Sequence, residues 1–565
     1  MGRISLTILC VFAGLLKFNP TFAEESEILE LTSPLGKVKG SFLETRLGKK
    51  IYCFRGIRYA EAPVGQKRFQ PAEPVKAWTD VFDASVEGPV CPQPDVAIMS
   101  EDCLRLNIYS NELPTKDKNV KKPVIVYFHP GGFYGGSGKS DRQGPEYLLD
   151  KEVLLVTVNY RIGSLGFMSS GDSLLPGNLG LKDQVIALRW IKNNIASFGG
   201  DPDCVTISGY SAGSWSVSLH LVSPMSKGLF HRAISMSGTA YYQKPLPKDQ
   251  KNLATKQAEI LGCPTDTVGN MLICLNTKTA EEFANSLSQF CEWHGDPILV
   301  WTPVIEPEVN GVERFLPDDP VKLLKEGNFA QVPYMTGFNK DEFGSVILLP
   351  IAEAKKGNNS FFEDWNTNWD HIAPISFLYE RDTPRSKEIS RELNKFYNHD
   401  KPVSLQNLQG MAHLYCDAVI AYSVHRFVNL LATATDIPLY YYHFMYQGRY
   451  SHVLDPETNE PYGISHHDEM MYIFYMKKFP FFKKDDPEIP TVERMTSIWE
   501  HFAKTGEPIP KNNELFKNVT WERFTSDKKR YLEINKEFSL KNGLINTERM
   551  ELWDSLFPLE QSPKQ

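Results

Sequence analysis

The stretch GYSAG, residues 209–213, places one serine between two glycines, each two positions away from it. Residues 204–208 just before it predict a short buried strand, and the residues after it have the apolar spacing of a helix. A tight turn between a strand and a helix is the context in which a G-x-S-x-G turn presents a serine nucleophile, here Ser211. Glycine suits both flanks because such a turn is too crowded for a Cβ. The pentapeptide alone also fits an ordinary glycine-rich loop, so other features must decide.

Short apolar runs, rich in β-branched and aromatic residues, alternate with segments of helical periodicity. The runs predict strands buried on both faces, at 123–129, 153–160, 204–208, 332–338 and 438–444. The periodic segments predict helices over 183–199 and 494–506, the second ended by Gly506. This alternation predicts the α/β class, with a mostly parallel central sheet flanked by helices on both faces. In such sheets ligands bind beyond the carboxyl ends of the strands, so we searched those positions for reactive groups.

A glycine-rich segment, HPGGFYGG, follows the first of these strands. The main-chain N–H groups of Gly131 and Gly132, together with that of Ala212 after the serine, are candidates to stabilise a developing oxyanion. A flexible turn is the alternative, but the aromatic residues that follow the glycines indicate packing rather than a linker. We interpret His129, just before them, as a structural residue.

An acid and a base follow two further predicted strands. Glu342, after 332–338, is a candidate to orient and stabilise an imidazolium. The alternative is that this acidic pair in a loop is solvated surface. His466 and His467, after 438–444, are both candidates for a general base. Two adjacent histidines also suggest a metal, but no HExxH motif or Cys/His cage accompanies them, so we predict no metal and no cofactor. The order serine, acid, histidine along the chain is the one expected of an α/β-hydrolase fold.

Composition and charge exclude one class of partner. The chain of 565 residues is 42% hydrophobic and 23% charged, which is typical of a packed globular protein. Its formal net charge of −8 gives no electrostatic basis for nucleic-acid binding. No repeat, charge run or low-complexity linker divides the chain.

The N-terminus predicts a secreted, extracellular protein. A short basic stretch, the apolar run ISLTILCVFAGLL and a small-residue site ending at Ala23 indicate a signal peptide over residues 1–23. An N-terminal anchor is the alternative, and it is disfavoured because Lys17 and Pro20 interrupt the segment. No later stretch is apolar enough to serve as a membrane anchor. We therefore expect one mature domain over residues 24–565, with possible N-glycosylation at the sequons of Asn358 and Asn518.

A series of motifs resembles the type-B carboxylesterase family, which includes cholinesterases and lipases, and looks most like its secreted arthropod members. The motifs run in family order through nearly the whole mature chain and are FRGIRYAEAPVGQKRFQPAEPVKAW, SEDCLRLNIY, NYRIGSLGF, GNLGLKDQVIALRWIKNNIASFGGDP and LFHRAISMSG. The resemblance implies that Ser211, Glu342 and His466 match a catalytic triad, and that Gly131, Gly132 and Ala212 match the oxyanion hole. It also implies the disulfides Cys91–Cys103 and Cys263–Cys274. For Cys53, Cys204, Cys291 and Cys416 we expect buried free thiols.

Departures from the family pattern bear on the substrate. Cholinesterases carry a glutamate directly before the nucleophile, whereas this chain has Tyr210 there. They also carry a cation-binding tryptophan in the first disulfide loop, whereas residues 92–102 of this chain contain no aromatic residue. Choline esters are therefore disfavoured. Two glycines usual in the family, after the acid and after the histidine, are replaced by Phe343 and His467.

Two function hypotheses follow from the sequence. The first is a serine carboxylesterase that hydrolyses uncharged, moderately hydrophobic carboxylic esters through an acyl-enzyme, with a small-molecule ester as its partner. By the resemblance, residues 297–303 shape the acyl pocket. The second is a non-catalytic adhesion or ligand-scavenging relative on the same fold. The complete set of triad residues favours the first.

Overall fold

The central feature of the fold is a sheet of 11 strands. The structure is a computed structural model that describes residues 29–511 and 513–559. The strands, in chain order, are β1 Glu30–Ser33, β2 Gly36–Lys39, β3 Ser41–Glu44, β4 Lys50–Arg58, β5 Phe82–Asp83, β6 Arg105–Ser110, β7 Lys122–Phe128, β8 Leu154–Val158, β9 Gly200–Tyr210, β10 Arg232–Met236, β11 Tyr334–Asn339, β12 Leu439–Phe444, β13 Arg530–Ile534 and β14 Ser539–Asn542. The large sheet has the order β14-β13-β12-β11-β10-β9-β7-β8-β6-β4-β3, and β1, β2 and β5 form a small second sheet.

The middle of the large sheet is parallel, from β8 through β7, β9, β10, β11 and β12 to β13. Antiparallel pairs occur only towards its two edges among the described strands. The residues of β8, β11 and β12 are buried throughout, as parallel strands with covered faces require. The predicted α/β-hydrolase architecture is confirmed.

Helices flank the sheet, and several of them pack directly on its strands while others pack on neighbouring helices. They are α1 Gly163–Phe167, α2 Leu179–Asn194, α3 Ala212–Val222, α4 Lys251–Ile260, α5 Val268–Leu275, α6 Ala280–Asn285, α7 Pro320–Lys325, α8 Leu348–Lys355, α9 Ser360–Thr367, α10 Trp369–Ser376, α11 Pro384–Asn398, α12 Leu408–Cys416, α13 Tyr422–Ala434, α14 Ile489–Thr505 and α15 Thr547–Leu556. Both predicted helices are present, each beginning four or five residues earlier than the periodicity indicated. Gly506 ends α14 with φ +81°, a conformation that favours glycine.

The eight cysteines that the structure describes form two disulfides and four free thiols. The structure pairs Cys91 with Cys103 and Cys263 with Cys274. Cys53 and Cys416 are buried and Cys204 is half-buried. The expectation of a buried thiol is wrong for Cys291, which is exposed because it follows a surface 3₁₀ turn, Leu287–Phe290.

The predicted signal peptide, residues 1–23, lies outside the described residues. Within them, no helix combines the length and apolar character needed to cross a membrane. Both sequon asparagines, Asn358 and Asn518, are exposed.

Candidate active site

Ser211 sits on the turn between β9 and α3 in a strained backbone conformation. Its φ is +55° and its ψ is −118°, values that a non-glycine residue adopts only when its surroundings enforce them. Two hydrogen bonds hold the turn: Ser211 N–H donates to the carbonyl of Met236 on β10 (2.9 Å), and Trp215 N–H donates to the carbonyl of Ser211 (2.9 Å). The sequence thus forms the strained strand-to-helix turn that the GYSAG motif predicted.

The two flanking glycines are explained by steric contact. A Cβ on Gly209 would clash with the carbonyl of Gly213, and a Cβ on Gly213 would clash with the carbonyl of Phe128 at the end of β7. Both obstacles are main-chain atoms, which cannot move aside as a flexible side chain would. The glycines therefore let β9, the turn and α3 approach β7 closely.

Glu342 and His466 are in direct contact although they are far apart in sequence. Glu342 lies just after β11 and His466 in the long connection after β12, and these two strands are neighbours. His466 Nδ1 hydrogen-bonds Glu342 Oε2. The other carboxylate oxygen of Glu342 accepts from the N–H of Asn339 (2.9 Å) and from the hydroxyl of Ser237. The carboxylate is fully buried, so it is held in one orientation against the imidazole.

Ser211 and His466 line the same cavity, which has a volume of about 330 Å³. The structure does not join them by a hydrogen bond, since His466 Nε2 is buried without a partner among the described residues. Catalytic hydrogen bonds of this kind are often long until substrate binds. The sequence-predicted acid and base are thus in contact, and the sequence-predicted nucleophile opens into the space beside them.

The glycine-rich segment forms one wall of this cavity. Gly131, Gly132 and Ala212 all line it. Gly131 has φ +122° and its carbonyl accepts from the N–H groups of Tyr134 and Gly135 (both 2.9 Å), which closes the loop and leaves the Gly131 and Gly132 N–H groups without acceptors among the described residues. Ala212 is the first residue of α3, where N–H groups have no intrahelical partner.

His129 has no place in this cavity. Its Nδ1 lies 2.8 Å from the carbonyl oxygen of Pro130, and its ring stacks on Tyr160 at a centroid distance of 4.3 Å. Burial lowers the pKa of His129 to about 4, so the ring is neutral at physiological pH. These contacts agree with its interpretation as a structural residue.

The residues that depart from the family pattern pack around His466. Tyr210 is buried, and its hydroxyl accepts from the N–H of His467 (2.8 Å), which ties β9 to the histidine loop. Phe343 packs on the His466 ring at 4.4 Å. Phe343 and His467 have φ values of +49° and +80°, which explains why glycine suits both positions. The bulky replacements keep the glycine-like backbone and add ring contacts to His466.

A second buried carboxyl group, Glu469, lies behind the first, and the sequence analysis missed it. The Ser237 hydroxyl, which contacts Glu342, also lies 3.5 Å from Glu469 Oε1. Burial, and next the neighbouring Glu342 carboxylate, raise the pKa of Glu469 to about 8. The group is therefore mostly protonated at neutral pH. The sequence offered one signal for this part of the site, the position of Ser237. This residue directly follows β10, at the same sheet edge as Ser211 and Glu342.

Comparison with known proteins agrees with this geometry. The sequence profile that describes the carboxylesterase family matches residues 26–553. The chain belongs to the carboxylesterase family. This carboxylesterase is 36% identical to Esterase FE4 of Myzus persicae over 495 residues, which is 86% of each chain. It is 34% identical to Juvenile hormone esterase of Tribolium castaneum over 510 residues, covering 86% of this chain and 85% of that protein.

A solved structure supports the same assignment. The carboxylesterase superposes on Juvenile Hormone Esterase from Manduca sexta, a structure with OTFP covalently attached, with a TM-score of 0.81 and 28% identity. The match covers 94% of this chain and 100% of that one. The expected likeness to arthropod esterases is confirmed, and the chain is a carboxylic ester hydrolase.

The cavity of this carboxylesterase is lined mainly by apolar side chains. Among the described lining residues none is Asp, Glu, Lys or Arg. The apolar lining residues away from the glycine loop are Trp215, Ile298, Leu299, Phe343, Val419, Ile420 and Val453. Ile298 and Leu299 belong to the segment 297–303 that the sequence placed at the acyl pocket. Across the described part of the chain, no group of three or more His, Cys, Asp or Glu side chains is arranged to hold a metal ion.

Replacing Glu469 with glutamine should change how stability depends on pH. Between the ordinary glutamate pKa of 4.5 and about 8, the folded protein holds a proton on Glu469 that the unfolded chain has lost. Wild-type unfolding free energy therefore falls as pH rises through this window, and Glu469→Gln removes that contribution. Relative to wild type, the variant should gain about 2–3 kcal/mol between pH 5.5 and 7.5, measured by urea unfolding. Parallel stability curves for the two proteins would contradict the raised pKa.

Proposed function

We propose that this carboxylesterase hydrolyses uncharged, moderately hydrophobic carboxylic esters through Ser211, His466 and Glu342. The observation that carries the proposal is the shared cavity, in which a serine on a strained turn faces an imidazole whose other nitrogen is held by a buried carboxylate. A hydroxyl needs an adjacent base to become a nucleophile at neutral pH, and the base needs a third group to fix its orientation. The cavity shared by Ser211 and His466, and the contact of His466 with Glu342, support these roles.

In the proposed mechanism His466 Nε2 takes the proton of the Ser211 hydroxyl as the oxygen attacks the ester carbonyl carbon. Glu342 stabilises the resulting imidazolium through Nδ1–H. The tetrahedral intermediate collapses when the C–O bond to the alcohol breaks and His466 returns the proton to the leaving oxygen. Water then attacks the acyl-serine ester by the same two proton transfers and releases the carboxylic acid.

The N–H groups of Gly131, Gly132 and Ala212 are proposed to bind the oxyanion. Their residues line the cavity beside Ser211, and the two glycine N–H groups have no acceptor elsewhere in the described chain. Preorganised main-chain donors of this kind stabilise developing charge at no reorganisation cost. Pro130, in place of a further glycine, removes an N–H that this scheme does not use.

The cavity lining supports the substrate class. Its apolar side chains favour hydrocarbon groups on the ester, and the lack of an acidic side chain among the described lining residues removes an attraction for a cationic alcohol. We infer an uncharged ester for this reason.

We further propose secretion of one domain, residues 24–565, after removal of residues 1–23. The exposed sequons at Asn358 and Asn518 and the two disulfides support an oxidising, extracellular location.

Expression of the full chain in insect cells tests the proposal. The culture medium should hydrolyse 4-nitrophenyl butyrate, and a fluorophosphonate should label the protein once, at Ser211. N-terminal sequencing should begin at residue 24. A folded, secreted protein with neither activity nor labelling would instead favour the non-catalytic adhesion or scavenging function.

A further inference from the structure

A second imidazole with its own carboxylate partner faces the catalytic cavity. His452 lies in the connection between β12 and His466 and lines the cavity together with Ser211 and His466. Its Nδ1 lies 3.1 Å from Asp468 Oδ1. The proposed mechanism uses neither residue. His452 and His466 thus each line the cavity with an imidazole whose Nδ1 contacts a carboxylate behind the lining, Asp468 for the first and Glu342 for the second.

Asp468 is fixed by several donors, which sets the tautomer of His452. The buried carboxylate accepts from the hydroxyl of Ser451 (2.6 Å), from the N–H of His452 (2.7 Å) and from the N–H of Ser465 (2.8 Å). A carboxylate only accepts hydrogen bonds, so the Nδ1 of His452 must carry the proton that it shares with Asp468. In neutral His452 the opposite nitrogen, Nε2, then presents a lone pair.

The Nε2 lone pair of His452 accepts no hydrogen bond from the described residues. The hydrogen bonds of His452 involve its main-chain N–H, its carbonyl and Nδ1, none of them Nε2. The ring of the neighbouring His467 lies 5.6 Å from that of His452, and the Nε2 of His467 is buried without a partner among the described residues. Burial, and next the charge of His466, hold the pKa of His467 well below its usual value, so His467 stays neutral. His452 and His467 form what we call the polar corner.

The polar corner contrasts with the rest of the cavity. Most other lining residues beyond the proposed triad and oxyanion donors are apolar, as described above. A hydrocarbon chain placed against Nε2 of His452 would deprive that nitrogen of water without giving it a partner, which costs free energy. A hydroxyl group at the same place would donate to it.

We propose that His452 is a specificity-determining residue that accepts a hydrogen bond from a hydroxyl group of the substrate. The favoured substrates are then hydroxy esters, apolar along most of their length and carrying one hydroxyl group that reaches the polar corner. The inference rests on the proposed esterase function and adds the chemistry of one part of the substrate.

The test compares isosteric esters on wild type and on His452→Asn. Asparagine can keep the donor that faces Asp468 but removes Nε2. The pairs are 4-hydroxybutyl butyrate with pentyl butyrate, and butyl 6-hydroxyhexanoate with butyl heptanoate, which place the hydroxyl on the alcohol side or the acyl side. For each pair, kcat/KM of the hydroxy ester is divided by kcat/KM of the alkyl ester. In one of the two pairs, this ratio should be about tenfold lower in His452→Asn than in wild type. His452→Gln, whose amide oxygen reaches towards the position of Nε2, should restore part of it.

Controls separate this inference from the proposed function. His501→Asn, on α14 and away from the cavity, should change neither the ratio nor the activity. If wild type hydrolyses the alkyl esters and all variants share its ratios, the polar corner has no role in specificity and the inference is wrong. If wild type hydrolyses none of the esters, the proposed function fails first. If His452→Asn lowers kcat/KM equally for both members of each pair, its role is structural and the inference is also wrong.

Discussion

Ser211→Ala is expected to lower kcat for 4-nitrophenyl butyrate by about 10⁶-fold, the loss found when other serine hydrolases lose their nucleophile. The variant lacks the only oxygen that the mechanism joins to the acyl group, so a fluorophosphonate should no longer label the protein. Hydrolysis is measured from nitrophenolate release and labelling by intact-protein mass spectrometry. Stability should be nearly unchanged, because the strained turn is held by main-chain hydrogen bonds that alanine keeps.

Ser218→Ala is the matched control for this experiment. Ser218 lies two turns along the same helix, α3, and its buried hydroxyl donates to the carbonyl of Trp215 (2.8 Å) away from the cavity. We expect its activity to stay within about threefold of wild type because it touches no reacting atom. Persistence of labelling in Ser211→Ala would show that another residue is the nucleophile and would remove the basis of the mechanism.

His466→Ala should cost about as much as loss of the serine, on the order of 10⁶ in kcat. Without the imidazole, nothing takes the Ser211 proton or returns it to the leaving alcohol, and the buried Glu342 carboxylate loses its partner. Steady-state hydrolysis and the rate of fluorophosphonate labelling should both fall, since each depends on an activated serine.

A variant of the adjacent histidine is the control that separates a specific role of His466 from a general disturbance of its loop. His467→Ala should keep measurable turnover, reduced by tenfold or less. We expect this because His467 has no carboxylate partner among the described residues, and its ring packs beside those of His466 (4.3 Å), Tyr210 and His452. If His467→Ala were inactive and His466→Ala active, the assignment of the base would be wrong. Thermal unfolding of both variants checks that each is folded.

Much of this site follows from local sequence. GYSAG between a β-branched run and a helical segment predicts a strained turn, because few other arrangements need glycine at both flanking positions. Glu342 and His466 were found because each follows a recognisable strand, and parallel strands deliver their carboxyl ends to one edge. Two adjacent histidines, His466 and His467, left open which of them is the candidate base. The resemblance to the family indicated His466, and it also indicated how the cysteines pair.

Other parts of the site had only a weak signal in the local sequence. The strand β10 is only five residues long and contains an arginine and a serine, so its pattern does not stand out. Ser237, which follows it, was missed for that reason. Glu469 lies in a polar run, HHDEMMY, and its burial results from packing between β12 and Ser237, which depends on long-range contacts. The exposure of Cys291 likewise depends on a turn that hydrophobicity alone does not predict.

The order of the strands also bears on how the enzyme is made. A ribosome completes β9 and the serine turn long before it synthesises β12 and the loop that bears His466. A nascent chain therefore carries Ser211 before it carries His466, the proposed base, and no amino-terminal fragment that stops short of this loop contains all three residues of the proposed triad. By the proposed mechanism, esterase activity would arise only after the loop that bears His466 has been synthesised and has folded against β11. Incomplete chains would therefore not hydrolyse esters in the cell that makes them.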